Sequence, residues 1–138
     1  MRAKSADELE QLCRERKIRC LVVEDDEALR TLISRVLRDF GMDVFDTEDG
    51  RAAVVAHHQI PFDLLILSWF NKNFNGERML ETMHNLCPRM PKVIIMPGLE
   101  AVSICSPVPV AGFLFKPFDI EKLASVVIDA LGVQDARH

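Results

Sequence analysis

Leu64-Leu65-Ile66-Leu67 is an unbroken apolar run held between Asp63 and Ser68. A run this short with polar residues at both ends suits a strand buried on both faces of a sheet. The pattern recurs at Cys20–Val23, Val93–Met96 and Gly112–Phe115, with a briefer version at Val44-Phe45. Between these runs the apolar spacing changes to three and four. Leu29, Leu32, Ile33, Val36, Leu37 and Phe40 form one helical face that Gly41 closes. Arg51–Gln59 reads as a second helix with Ala52, Ala53, Val55 and Ala56 inward. A third carries Met79, Leu80, Met83 and Leu86 and stops at Pro88. A last one runs from an Asp119 N-cap to Gly132, with Ile120, Leu123, Val126, Val127, Ala130 and Leu131 on one side. Five strands alternating with helices predict an α/β fold: a five-stranded parallel sheet with right-handed crossovers and helices on both faces. The doubly wound order 2-1-3-4-5 sets the first and third strands side by side at the switch point.

A chain of 138 residues makes about one domain. Its net charge of −4 offers no basic field for nucleic acid or anionic lipid. No signal peptide pattern is present, and no apolar run nears the ~20 residues that span a bilayer. The expectation is a cytoplasmic protein with no membrane and no nucleic-acid partner. Cys13, Cys20, Cys87 and Cys105 show no ligand spacing; Cys20 and Cys105 are expected to pack as small hydrophobes. His57-His58 end the second helix, where they can meet its carbonyls, and lack partners for a metal. Residues 1–17 form a charged extension or short helix, in which Ser5 and Glu8 fit a capping box beside a thin apolar edge of Leu9 and Leu12. The domain proper is expected over 18–132, with 133–138 as a tail. Between the fourth and fifth strands, Leu99, Val102 and Ile104 can start a helix, but Pro107 and Pro109 forbid a long one. A shortened or irregular fourth helix follows.

Three strand ends should meet in one pocket, since open α/β sheets place their chemistry at the strands' carboxyl ends. Glu24-Asp25-Asp26 end the first strand, Ser68 the third and Lys116-Pro117 the fifth. With Val22-Val23-Glu24-Asp25-Asp26-Glu27-Ala28-Leu29-Arg30, Asp63 to Ser68, Gly76 eight residues on, and Phe113-Leu114-Phe115-Lys116-Pro117-Phe118, the chain resembles the receiver domain of two-component response regulators, a flavodoxin-like (chemotaxis-regulator-like) fold. The resemblance covers about 18–132. It implies that Glu24 and Asp25 match an acidic pair that helps hold Mg²⁺, and that Lys116 matches a lysine contacting the phosphoryl group. It implies a cis peptide before Pro117. By charge alone, Lys116 is expected to pair with Asp25.

Two positions depart from that family's pattern. Ser68 stands where the resemblance implies an acceptor aspartate, and Pro97 where it implies a hydroxyl residue that follows the phosphoryl group. Phe113 matches the aromatic switch position without its coupling partner. Asn71-Lys72 stands where Met-Pro is common. The expected reading is a receiver that is not phosphorylated by the usual aspartyl route and acts as a protein-interaction module. It is not expected to be an enzyme, and carries no catalytic residue. Its Mg²⁺ site is expected to be weak or vacant, with no other cofactor. Partners implied are a histidine kinase or an output protein, with a homodimer left open. Two alternatives stand: phosphorylation of Ser68 or a nearby carboxylate, and a flavodoxin-like small-ligand binder. Glu-Asp-Asp after the first strand suits no phosphate cradle. Trp69, Phe70 and Phe74 are expected near the pocket mouth, as local core or as a partner patch.

Overall fold

The computed structural model describes residues 4–72, 74–98 and 104–132. Along the chain these form α1 (Lys4–Glu15), β1 (Arg19–Val23), α2 (Glu27–Phe40), β2 (Asp43–Thr47), α3 (Gly50–Gln59), β3 (Leu64–Ser68), α4 (Gly76–Leu86), β4 (Lys92–Met96), β5 (Gly112–Phe113) and α5 (Ile120–Leu131). The sheet order is β2-β1-β3-β4-β5, and every pairing is parallel. The doubly wound order expected from the apolar runs is therefore the one found.

Alternation along the strands divides the core in two. Cys20, Val22, Leu64, Ile66, Ile94 and Met96 face α2 and α5, whereas Leu21, Val23, Leu65, Leu67, Val93 and Ile95 face α3 and α4. Burial on both faces explains why the strand runs are continuously apolar rather than alternating. Burial also pushes the Cys20 thiol up, as expected of a packed, unreactive sulfur. Cys105, expected to pack likewise, is exposed, because Ile104, Val108 and Val110 are the residues of its segment that turn inward.

On the first face there is a third layer. α1 lies against α5 and buries Ala6 and Leu9 completely or nearly so. The helix crosses the end of α2 closely: Gly41 holds a left-handed φ of +111°, and a Cβ there would come within 3.1 Å of Cys13 Cβ. The Ser5–Glu8 capping box is not formed. Ser5 lies inside the first turn, and its amide donates to Glu121 Oε1 at 2.9 Å while that of Ala6 donates to Glu121 Oε2 at 3.3 Å. A carboxylate on α5 thus satisfies the free N–H groups of α1, and its charge suits that end of the helix dipole.

The second face is covered more thinly among the described residues. Residues 104–111, the described part of the approach to β5, contain no helix. Leu99 and Val102, which could have started one, lie outside the described residues, as does 133–138. Pro107 and Pro109 account for the extended course of the rest. Ser106 Oγ donates to the Val108 carbonyl at 2.6 Å and accepts the Val108 amide at 3.2 Å, so Val108 can be buried without a ladder partner. β5 is shorter than the apolar run Gly112–Phe115 suggested. The Leu114 amide still donates to Ile95 O, but the chain then turns into a cis Lys116–Pro117 peptide.

His57 is buried and bonds outside its own helix rather than to the helix carbonyls. The Phe62 amide donates to Nδ1 at 3.0 Å, and Nε2 lies 2.6 Å from Arg89 O. An amide can only donate and a carbonyl only accept, so the ring is the neutral Nε2–H tautomer. Among the described residues, no helix is long and apolar enough to cross a membrane.

Candidate functional site at the carboxyl ends of the strands

Glu24, Asp25, Ser68 and Lys116 follow or end β1, β3 and β5, and parallel pairing carries them to one edge of the sheet. The three acidic residues do three different jobs. Asp26 is the N-cap of α2, accepting the amides of Ala28 at 3.0 Å and Leu29 at 3.4 Å. Glu24 is only 1% exposed. Its Oε1 lies 3.3 Å from Lys116 Nζ, and its Oε2 accepts the Asp26 amide at 3.0 Å. The lysine therefore pairs with Glu24, not with Asp25. The reason is burial: Glu24 is shut away from water and needs a counter-charge, whereas Asp25 turns toward the loop after β3. Burial pushes the Glu24 carboxyl above its ordinary range and Asp25 beside it adds to this, while the Asp26 amide and Lys116 pull the other way.

Asp25 is engaged by the loop. Its Oδ2 accepts the Lys72 amide at 3.0 Å, and its own amide donates to Asn71 Oδ1 at 3.3 Å. The other end of the Asn71 amide group, Nδ2, donates to the Ser68 carbonyl. Asn71 thus bridges the end of β1 to the end of β3. Burial alone would raise the Asp25 carboxyl, but the Lys72 amide, the Glu24 side chain and the Lys72 charge together hold it below the usual range. Arg30 ties the end of β1 to β2: its Nη1 donates to Glu24 O at 2.9 Å, and its Nε lies 3.5 Å from Asp46.

Ser68 is buried at the end of β3, paired in register with Met96, and the next residue along β4 is the buried Pro97. Phe113 follows a different course. It pairs in register with Ile95, so it belongs to the α3/α4 face, yet it is 40% exposed and stacks on Phe115, 58% exposed, with ring centroids 6.2 Å apart. The loop aromatics divide. Trp69 and Phe74 pack on the second core, and a Cβ at Gly76 would come within 3.0 Å of the Trp69 ring, while Phe70 points outward. An open cleft of about 800 Å³ lies outside the loop, lined by Asp25, Phe70, Lys72 and Glu77 among others.

A Mg²⁺ ion wants about six hard oxygens in near-octahedral geometry. Here two carboxylates are already held, one by a lysine and one by a loop amide, and the third strand end carries a hydroxyl. That donor set does not fit the ion. Among the described residues no group of three or more His, Cys, Asp or Glu side chains stands ready for a metal. Sequence reading missed the contacts of Arg30 and the bridging role of Asn71. The one available signal for Asn71 was its departure from the usual residue at that place in the loop.

Comparison with known proteins agrees with the fold. The model of the response regulator receiver domain matches residues 20–128. The transcriptional regulatory protein ZraR of Salmonella typhimurium is 29% identical over 118 residues, which is 83% of this chain and 26% of that protein. The chain thus spans about a quarter of the length of the curated relatives it matches. Among solved structures, the signal receiver domain of a putative Luxo repressor protein from Vibrio parahaemolyticus superposes with a TM-score of 0.73 at 24% identity, covering 88% of this chain and 95% of that one. Chemotaxis protein CheY4 of Vibrio cholerae does so with a TM-score of 0.71 at 22% identity, covering 83% and 99%. Receiver domains of two-component systems interact with kinases and output domains. This chain belongs to the response regulator receiver domain family of two-component signalling.

Proposed function

We propose that this receiver domain signals by being bound, without aspartyl phosphorylation. The carrying observation is that Ser68 ends β3 opposite Met96, the residue that Pro97 follows. A serine hydroxyl is a far weaker nucleophile toward phosphohistidine than a carboxylate, and the one buried histidine among the described residues, His57, is engaged by Phe62 and Arg89 instead. Pro97, lacking both hydroxyl and N–H, has nothing with which to follow a phosphoryl group. Lys116, placed to neutralise phosphoryl charge, is committed to buried Glu24.

The binding partner is a protein of the same signalling class, a histidine kinase or an output protein, and the stacked Phe113–Phe115 pair is the apolar surface that offers itself for contact. Intact mass after incubation with Mg²⁺ and acetyl phosphate, beside an ordinary receiver as control, tests the reading. No adduct is expected. A one-phosphoryl adduct would overturn it, and hydroxylamine would then separate an acyl phosphate on Asp25 from a phosphoester on Ser68.

A further inference from the structure

At the acidic end of β1 the carboxylates are already engaged by groups of the chain itself. The Lys72 amide sits on Asp25 Oδ2 at 3.0 Å. Asn71 occupies the gap between strands, accepting from the Asp25 amide through Oδ1 and donating through Nδ2 to Ser68 O. Both ends of one side-chain amide are used, so its orientation is fixed by chemistry: the Asp25 amide can only donate and the Ser68 carbonyl only accept. Glu24 is turned away to Lys116.

We propose that Asn71 and the Lys72 amide form an internal clasp that stands in for a divalent cation, holding the β3–α4 loop across β1 and keeping Mg²⁺ out. The proposal rests on the reading of a silent pocket and names what keeps it silent. Asn71 is a positioning residue: it sets the loop so that the Lys72 amide reaches Asp25. To enter, a cation must break the amide–carboxylate hydrogen bond, which is of the stronger, charge-assisted kind. It recovers only one fully free carboxylate for that cost, since Glu24 would have to leave its lysine.

The test is a Mg²⁺ titration of the full chain at constant ionic strength. Trp69, the single tryptophan, reports by fluorescence from the residue beside Ser68, and the Lys72 amide reports by ¹⁵N NMR. The wild-type chain should show no saturable change into the millimolar range, with its Lys72 amide slow to exchange with solvent deuterium. Asn71→Ala should gain a saturable response, at least about tenfold tighter, the scale of one charge-assisted hydrogen bond removed from competition. Saturable binding by the wild type, with Lys72 shifting, would overturn the clasp, and so would an Asn71→Ala chain that binds no better. Should that variant not fold, fast exchange at Lys72 in the wild type refutes the clasp unaided. A phosphoryl adduct in the mass experiment would sink the silent-pocket reading, whereas a Mg²⁺ response without an adduct would sink only the clasp.

Discussion

The two faces of the sheet are covered to different depths. Over α2 and α5 lies a further helix, α1, so that even the outer side of α5 is buried. Over the opposite face stand α3 and α4, and then an extended segment from which Val108 dips into the core while Phe113 and Phe115 stay in water. The described residues form five helices, one of them before β1, and the described part of the β4–β5 crossover, 104–111, forms none. The edge strand on this side, β5, is only two residues long and so exposes few unpaired backbone groups. The pocket sits where the two faces meet. Its charges persist because folding needs them: Glu24, buried as it is, requires Lys116 whether or not phosphate ever arrives.

The sharpest contrast between the faces is energetic. Leu9→Ala, on the doubly covered side, should cost about 2–5 kcal/mol, because Leu9 is wholly buried between helices. Val108→Ala, on the thin side, removes less carbon from a segment free to settle and should cost about 1–2 kcal/mol. Urea unfolding compares the two. Equal losses would mean that α1 is not the better-packed cover.

Lys116→Ala probes the pocket between the faces. Removing the cation leaves a buried carboxylate short of its partner and should cost about 1–3 kcal/mol near pH 8. The sign of the pH dependence follows from Glu24. Its carboxyl is already raised by burial, so the folded state favours the protonated form, and the stability this gives is present below about pH 4.5 and lost as pH rises through the raised value. Loss of Lys116 raises Glu24 further. The deficit should therefore shrink as pH falls from 8 toward 4.5, a window in which Asp25, held low, stays ionised. A deficit constant across that range would contradict a charge origin.

Glu121→Gln should cost less, about 0.5–1 kcal/mol, since the amide oxygen can still accept one of the two α1 amides but loses the charge that suits the helix end. Amide exchange at Ser5 and Ala6 reads this directly, and unchanged exchange would show that the cap does not hold α1.

Much of this was open to inspection in the primary structure. Strand runs apolar on both sides, the Gly41 and Gly132 helix ends and the Asp119 cap are local features, so spacing alone located them. The site was half legible. Glu24, Ser68 and Lys116 could be brought to one edge by topology, but which acid Lys116 meets depends on how each side chain leaves the strand end. Asn71 bridges residues 46 apart in sequence on one side and 3 apart on the other, and no spacing rule connects them. Likewise the α1 cap lies 116 residues from Ser5. A signal for α1 did exist: Ala124 and Ile128 widen the apolar face of α5 beyond what the sheet alone can cover.

On the proposed reading, the pocket keeps its charges but passes no change to the thin face. Ser68→Asp restores a carboxylate at β3, and NMR with Mg²⁺ and beryllofluoride would follow both regions in one spectrum. The added carboxylate should let Mg²⁺ displace the Lys72 amide, so shifts should appear at Glu24, Asp25 and the 69–72 loop, with 104–115 unmoved because Pro97 provides no hydroxyl to carry the change. Large shifts across 104–115 would contradict the account.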